Sequence, residues 1–283
     1  MMKRVAIVTD STADLTVAER EAMNVTVVPL GLTVEGETYV DGVDFTPEEF
    51  LVKLASCKEL PKSSQPATGA FLEVFDRLHK EGYDEILCIL ISEHLSGTCQ
   101  SARLAGDMTE AKVVVHSSHT VSCAIQFQIV EAYKMLEAGC SMDEIVAQLE
   151  KMRADLKLYI GVDSVDNLIK GGRLSKGKGM FAKVLNIKPI ITFMDGRLEP
   201  AHKVRSMNQV AKYFIQKLEE DMDQGKSIQY MRVIHVGAKE SAEAFSKELG
   251  EKYSFEMLPI VAGTSVLATH VGPGTMAIAY YCA

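Results

Sequence analysis

Glu85-Ile86-Leu87-Cys88-Ile89-Leu90-Ile91 runs directly into Ser92-Glu93-His94-Leu95-Ser96-Gly97-Thr98-Cys99-Gln100-Ser101-Ala102. The first part, short and apolar and closed by polar residues, reads as a buried strand. A helix is predicted to follow from Gln100 to Gly106. A strand that ends in hydroxyl residues and a glycine just before a helix is where open α/β sheets place ligands, in the crevice beyond the strand ends. There Ser96 can donate its O–H, Gly97 lets a ligand approach the backbone, and the helix N-terminus adds unpaired N–H donors. An anionic oxygen suits such donors best. The competing role for Ser96 is that of a helix cap.

Upstream, the same strand and helix alternation holds. Val5–Val8 reads as a strand, and Asp10-Ser11-Thr12-Ala13-Asp14 as a turn rich in N-caps. A helix over Thr16–Met23 and a strand over Val25–Leu30 follow. Thr46-Pro47-Glu48-Glu49 is a capping box with proline at the first helical position, opening a helix to about Cys57. Pro61-Lys62-Ser63-Ser64-Gln65-Pro66-Ala67-Thr68-Gly69 reads as a polar loop, and Phe71, Phe75 and Leu78 mark an amphipathic helix. A strand at Val113–Val115 and a helix over Val121–Glu137 complete an α/β/α pattern.

Downstream, Ser141-Met142-Asp143-Glu144 caps a helix to about Arg153, and Leu158–Val162 is a strand. Segments Ile187–Phe193, Ser227–Val236 and Phe255–Val261 read as strands, alternating with helices near Ser206–Met222 and Ser241–Leu249. These predict a mixed sheet with helices on one face. The expected organisation is an N-terminal three-layer α/β/α domain over 1–155 and a smaller C-terminal α/β domain over 156–283.

Bulk properties narrow the function. The apolar content of 47% in 283 residues supplies packed cores, and a net charge of −8 with no long basic run argues against nucleic acid as a partner. No apolar stretch is long enough to span a bilayer, so contact with a membrane surface would be transient at most. The apolar run before Asp10 is too short for a signal peptide. The six cysteines form no CxxC and no metal-ligand spacing with the seven histidines. The expectation is a cytoplasmic, reduced, metal-free protein.

Several strings imitate known motifs. Gly172-Arg173-Leu174-Ser175-Lys176-Gly177-Lys178-Gly179 resembles a P-loop but carries glycine where the Mg²⁺-binding hydroxyl belongs, and follows a helix rather than a strand. Gly272-Pro273-Gly274-Thr275-Met276-Ala277 has no chain after it for a βαβ unit. Ser96, His270 and an aspartate would make a hydrolytic or acyl-transfer triad, yet the G-x-S-x-G elbow is absent.

Seven strings in order carry a more specific resemblance. They are Val8-Thr9-Asp10-Ser11-Thr12-Ala13-Asp14-Leu15, Ser63-Ser64-Gln65-Pro66, Leu95-Ser96-Gly97-Thr98, Gly171-Gly172-Arg173-Leu174-Ser175, Asn186-Ile187-Lys188-Pro189, Lys203-Val204-Arg205 and His270-Val271-Gly272-Pro273-Gly274. Together they resemble the DegV family of fatty-acid-binding proteins over nearly the whole chain. The resemblance implies a DegV-like α/β fold with one long-chain fatty acid between two domains and no other cofactor. It also implies a non-catalytic lipid carrier that presents the acyl carboxylate to a separate ATP-dependent fatty acid kinase, whose acyl phosphate feeds phospholipid synthesis.

Carried over residue by residue, the resemblance puts the carboxylate on the hydroxyls of Ser63 and Ser96 and the imidazole of His270, with Ser63 standing where the family usually has threonine. It places Arg173 and Arg205 at the pocket mouth or kinase contact. His116-Ser117-Ser118 and Glu93-His94 depart from the usual pattern. Plainer roles compete: a turn residue for Ser63, a core histidine for His270, solvated charge for the arginines. The alternatives in function are a serine-dependent hydrolase or acyltransferase using Ser96, and a lipid sensor without kinase coupling.

Overall fold

The structure is a computed structural model and describes residues 4–174, 187–255 and 257–283. In chain order its first strand is β1 (Val5–Asp10), then a 3₁₀ turn (Ser11–Ala13), α1 (Val17–Ala22) and β2 (Val25–Val28). Next come β3 (Gly31–Val34), β4 (Glu37–Val40), α2 (Pro47–Ser56), β5 (Lys62–Ser64) and α3 (Thr68–Lys80). The segment that opened the sequence reading forms β6 (Glu85–Leu90) and α4 (Thr98–Gly106). After it stand β7 (Lys112–Ser117), α5 (Cys123–Glu137) and α6 (Met142–Asp155).

β2-β1-β6-β7 is a parallel four-stranded sheet. β6 is buried along its whole length, as expected of a strand covered on both faces. Phe71, Phe75, Cys99 and Ala102 of α3 and α4 pack on one side of the sheet. Ile125, Phe127 and Ile129 of α5 pack on the other, giving the three layers. The chain reverses direction of travel between β1 and β6, so the crevice beyond Asp10 and Ile91 is a topological switch point.

β4-β3-β5 is a small antiparallel sheet. Its β5 corrects the sequence reading, which made Pro61–Gly69 a loop: Lys62–Ser64 pairs with β3, and Ser63 lies opposite Leu32. Three residues between prolines are too few to show an alternating pattern, and pairing with β3 supplies the order that local propensity lacks.

The remaining elements are β8 (Leu156–Gly161), α7 (Asp166–Lys170), β9 (Lys188–Met194), β10 (Arg197–Val204), α8 (Met207–Asp223), β11 (Ile228–Val236), α9 (Lys239–Tyr253), β12 (Val261–Ala262), α10 (Ser265–Val271) and β13 (Thr275–Cys282). The six-stranded sheet they form has the order β10-β9-β8-β13-β11-β12. Its helices lie on both faces rather than the one expected. Phe214 and Phe245 of α8 and α9 pack against Met231 and Ile278. Residues of α5 and α6 pack on the opposite side against Ile234 and Ala279, so α5 serves both large sheets. The strand expected over Phe255–Val261 shrinks to Val261–Ala262, while Phe255, Met257 and Ile260 pack beside the α8/α9 core without strand pairing.

Two contacts tie the sheets together. Arg232, almost wholly buried, donates to Glu19 and Gln126 through Nη1 at 2.7 Å each and to the Pro259 carbonyl through Nε at 2.7 Å. The tip of the β9–β10 hairpin reaches the Ser92 loop, where Ser92 Oγ donates to the Gly196 carbonyl at 2.6 Å. Gly196 has φ +75°, and a Cβ there would lie 2.8 Å from Ser92 Oγ, so both backbone and space require glycine.

Candidate ligand-binding site

α4 begins at Thr98 with Gly97 as its N-cap, and no side chain caps it among the described residues. Ser96 is therefore not the cap: its Oγ lies 2.8 Å from Thr98 Oγ1, at the half-buried rim of the switch-point crevice. Gly97 has a steric reason to be glycine. A Cβ there would fall 2.1 Å from Gln65 Oε1, so the Gln65 amide lies directly against the Gly97 backbone. Gln65 Nε2 also donates to Ser101 Oγ at 2.9 Å, which fastens the end of β5 to α4.

Ser63 on β5 meets His270 at the last turn of α10. Ser63 Oγ and His270 Nε2 are 2.8 Å apart. Burial, with help from the Arg173 charge, pushes the imidazole down to about 4, so it is neutral at neutral pH. Its Nδ1 is buried and has no hydrogen-bond partner among the described residues. A neutral ring has one donor and one acceptor, so one of its two hydrogen-bonding capacities is unspent.

Arg173 joins the two halves of this cluster. Its Nε donates to the Leu95 carbonyl at 3.2 Å, beside Ser96, and its Nη1 to the Gly171 carbonyl at 2.6 Å. Gly171 in turn lies against His270, where a Cβ would come within 2.9 Å of Nδ1. Ser63, His270, Arg173 and the Ser96 loop thus form one polar group. Arg205 belongs to a different surface. It is exposed at the start of α8, in an open basic groove with Lys203 and Lys212, and its backbone N–H donates to Gln209 Oε1 at 2.7 Å.

Behind α10 lies a narrow apolar cleft of about 40 Å³. Leu158, Ile160, Ile234 and Ala277 of the six-stranded sheet line it, together with Leu267 and Val271 of α10. One short helix therefore carries both the imidazole of the polar group and part of the apolar wall. The arrangement suits a ligand with an anionic or hydrogen-bonding head and a hydrocarbon tail.

A hydrolytic triad is not assembled. The serine that touches His270 is Ser63, Ser96 bonds Thr98, and no carboxylate bonds Nδ1 among the described residues. Sequence reading missed Gln65 and Thr98, although both stand inside strings it had singled out. Ser175, Asn186 and the later part of the Gly172–Gly179 string lie outside the described residues. Glu93 and His94, which depart from the family pattern, face elsewhere: Glu93 pairs with Arg103 at 3.1 Å, and the His94 ring lies 6.0 Å from that of His119 beside the hairpin tip.

The family described as "Uncharacterised protein, DegV family" matches residues 4–283. The chain belongs to the DegV family. A DegV domain-containing protein of Listeria monocytogenes is 40% identical over 281 residues, covering 99% of each chain. Among solved structures, DegV of Bacillus subtilis, described as a fatty acid binding protein, superposes with TM-score 0.91 at 29% identity over 99% of this chain and 100% of that one. A stearic acid-binding protein from Eubacterium ventriosum gives TM-score 0.89 at 27% identity over 98% of both.

Proposed function

We propose that this DegV chain binds one long-chain fatty acid, with the carboxylate at Ser63, Ser96 and His270 and the tail in the cleft behind α10. The observation that carries this is the pairing, on one helix, of a neutral imidazole bonded to Ser63 with side chains that line an apolar cleft. Relatives described as fatty acid binding support it. Each buried methylene contributes about 0.8 kcal/mol, so a tail of about fourteen contributes on the order of 10 kcal/mol before association costs. Hydrogen bonds to the charged head, about 1.5–3 kcal/mol each, offset its desolvation. The tail sets affinity and the head sets orientation.

The reading extends to a non-catalytic carrier in the cytoplasm that offers the carboxylate to an ATP-dependent fatty acid kinase. The division at residue 155 goes with it, the lipid lying between 1–155 and 156–283. Arg173 beside the head group would steady charge as phosphate is transferred, and the exposed Arg205, on a different surface, would meet the kinase. No helix among the described residues is long and apolar enough to cross a membrane, which suits a carrier.

Native mass spectrometry of the purified protein, followed by lipid extraction, tests binding: one fatty acid per chain is expected, and an empty chain that ignores added oleate ends the proposal. Loaded protein given kinase, ATP and Mg²⁺ should yield acyl phosphate, trapped as hydroxamate. Arg205→Ala should cut that yield while holding fatty acid affinity within about threefold. Binding without product in any cognate kinase mixture favours a lipid sensor.

A further inference from the structure

α10 has only seven residues, about 10 Å of helix, too few to hold itself together. Its N-cap Thr264 makes no side-chain capping bond. The first turn is capped from elsewhere in the chain. Asp14 Oδ1 accepts the Thr264 N–H at 3.1 Å, and Asp41 Oδ1 accepts the Val266 N–H at 3.0 Å. Both carboxylates are buried, and their other oxygens are held as well. Ser122 Oγ donates to Asp14 Oδ2, and Ser11 Oγ donates to Asp41 Oδ2 at 2.6 Å.

These groups converge on the turn that follows β1. Within it Asp10 accepts the Ile91 N–H at 2.8 Å, at the root of the Ser96 loop. Burial raises Asp10, Asp14 and Asp41 alike, and Asp41 raises the other two further. Three acids placed where desolvation opposes their charge are costly when a hydroxyl cap would serve a helix end. What a carboxyl adds is a second oxygen: one accepts the helix N–H while the other is held by a serine hydroxyl, so the cap is itself fixed in place.

We propose that Asp14 and Asp41 are positioning residues for His270: by clamping the first turn of α10 they fix where its imidazole stands against Ser63. Val266 and His270 are four residues apart, about one turn and 6 Å of rise, so a shift at the clamp reaches the ring nearly undiminished. The same clamp sets Leu267 and Val271 against the cleft. The consequence for lipid rests on the fatty acid reading; the placement of the imidazole does not.

Two readouts separate these. The His270 ring is followed by long-range ¹H–¹⁵N correlation in lipid-free, ¹⁵N-labelled protein, its signals assigned by their loss in His270→Gln. Affinity is followed with cis-parinarate, a fluorescent fatty acid. In wild type the ring should stay neutral from about pH 5.5 to 8. In Asp41→Ala it should titrate within that window as its burial loosens, and cis-parinarate affinity should fall about tenfold. Asp41→Asn, which keeps an oxygen for the Val266 N–H, should restore both. A ring in Asp41→Ala that still does not titrate, with affinity within about twofold, overturns the proposal. A ring that titrates with unchanged affinity upholds the clamp and removes His270 from the head-group site. If Asp41→Ala does not fold, Asp14→Ala removes one bond of the pair and is read the same way.

Discussion

Ser96→Ala deletes a hydroxyl whose one side-chain hydrogen bond among the described residues is to Thr98, so its loss disturbs little of the fold. Under the fatty acid reading it removes a bond to a charged oxygen, and cis-parinarate affinity should fall by roughly ten- to a hundred-fold, about 1.5–3 kcal/mol. Unchanged affinity would take Ser96 out of the site. Asp14 offers a test by pH. Burial lifts its carboxyl from 3.8 to about 7, so between those values the folded chain holds a proton that the unfolded chain has released. Its contribution to stability therefore falls as pH rises through that window and is flat above it. Asp14→Asn removes this slope, and its melting temperature relative to wild type should be higher at about pH 8 than at about pH 5. His116 and His270, pushed from 6.5 down to about 4, act in the opposite sense, losing stability as pH falls, but they are common to both proteins and cancel. A melting difference that ignores pH would show that Asp14 does not change charge there. At this scale the sequence named Ser63, Ser96 and His270 through their strings. It set Asp14 in a turn and a string but tied neither it nor Asp41 to His270, because a cap supplied from more than two hundred residues away leaves no local spacing to read.

Local chemistry made some elements plain. The capping boxes at Thr46/Glu49 and Ser141/Glu144 form as read, each with reciprocal bonds. β6 and α4 stand where the apolar run and the glycine placed them. β5 and α10, which bring Ser63 to His270, were not legible. One is three residues long, and the other is a short run containing the β-branched Val266, Thr269 and Val271, poor in helix propensity. Both are ordered by tertiary partners. The approach of α7 to α10 can be tested at its two glycines. Gly171 has φ −72°, so alanine there meets no backbone penalty, yet its Cβ would press on His270 Nδ1 and, at 3.0 Å, on the Asn167 carbonyl. Gly171→Ala should weaken cis-parinarate binding several-fold. Gly172 has φ +77° and no described atom within 4 Å of where its Cβ would stand, so Gly172→Ala should cost about 1 kcal/mol of stability and leave binding alone. Titration and melting of the two variants separate the effects; identical behaviour would mean that Gly171 makes no demand on the imidazole.

Across the whole molecule, the alternation of strands and helices up to residue 155 was enough to read the three-layer α/β/α pattern. The six-stranded sheet was harder to read, because its order places β13, the last strand, between β8 and β11. Sequence neighbours are not sheet neighbours there, and a strand such as β13, buried at every position, shows no alternation. The same interleaving makes the hydrogen bond from Ser92 to the hairpin tip at Gly196 consequential. With Arg232 on Glu19 and α10 on Asp14 and Asp41, it pins the two large sheets at three separated points. A clamshell needs one free hinge, and this chain is stitched instead. Under the fatty acid reading, a guest enters when a small part, such as α10 released from its two aspartates, swings away by itself. In stopped-flow mixing, the observed loading rate should climb with lipid concentration only to a ceiling set by that opening. A rate that rises in proportion to concentration throughout would mean a doorway already open.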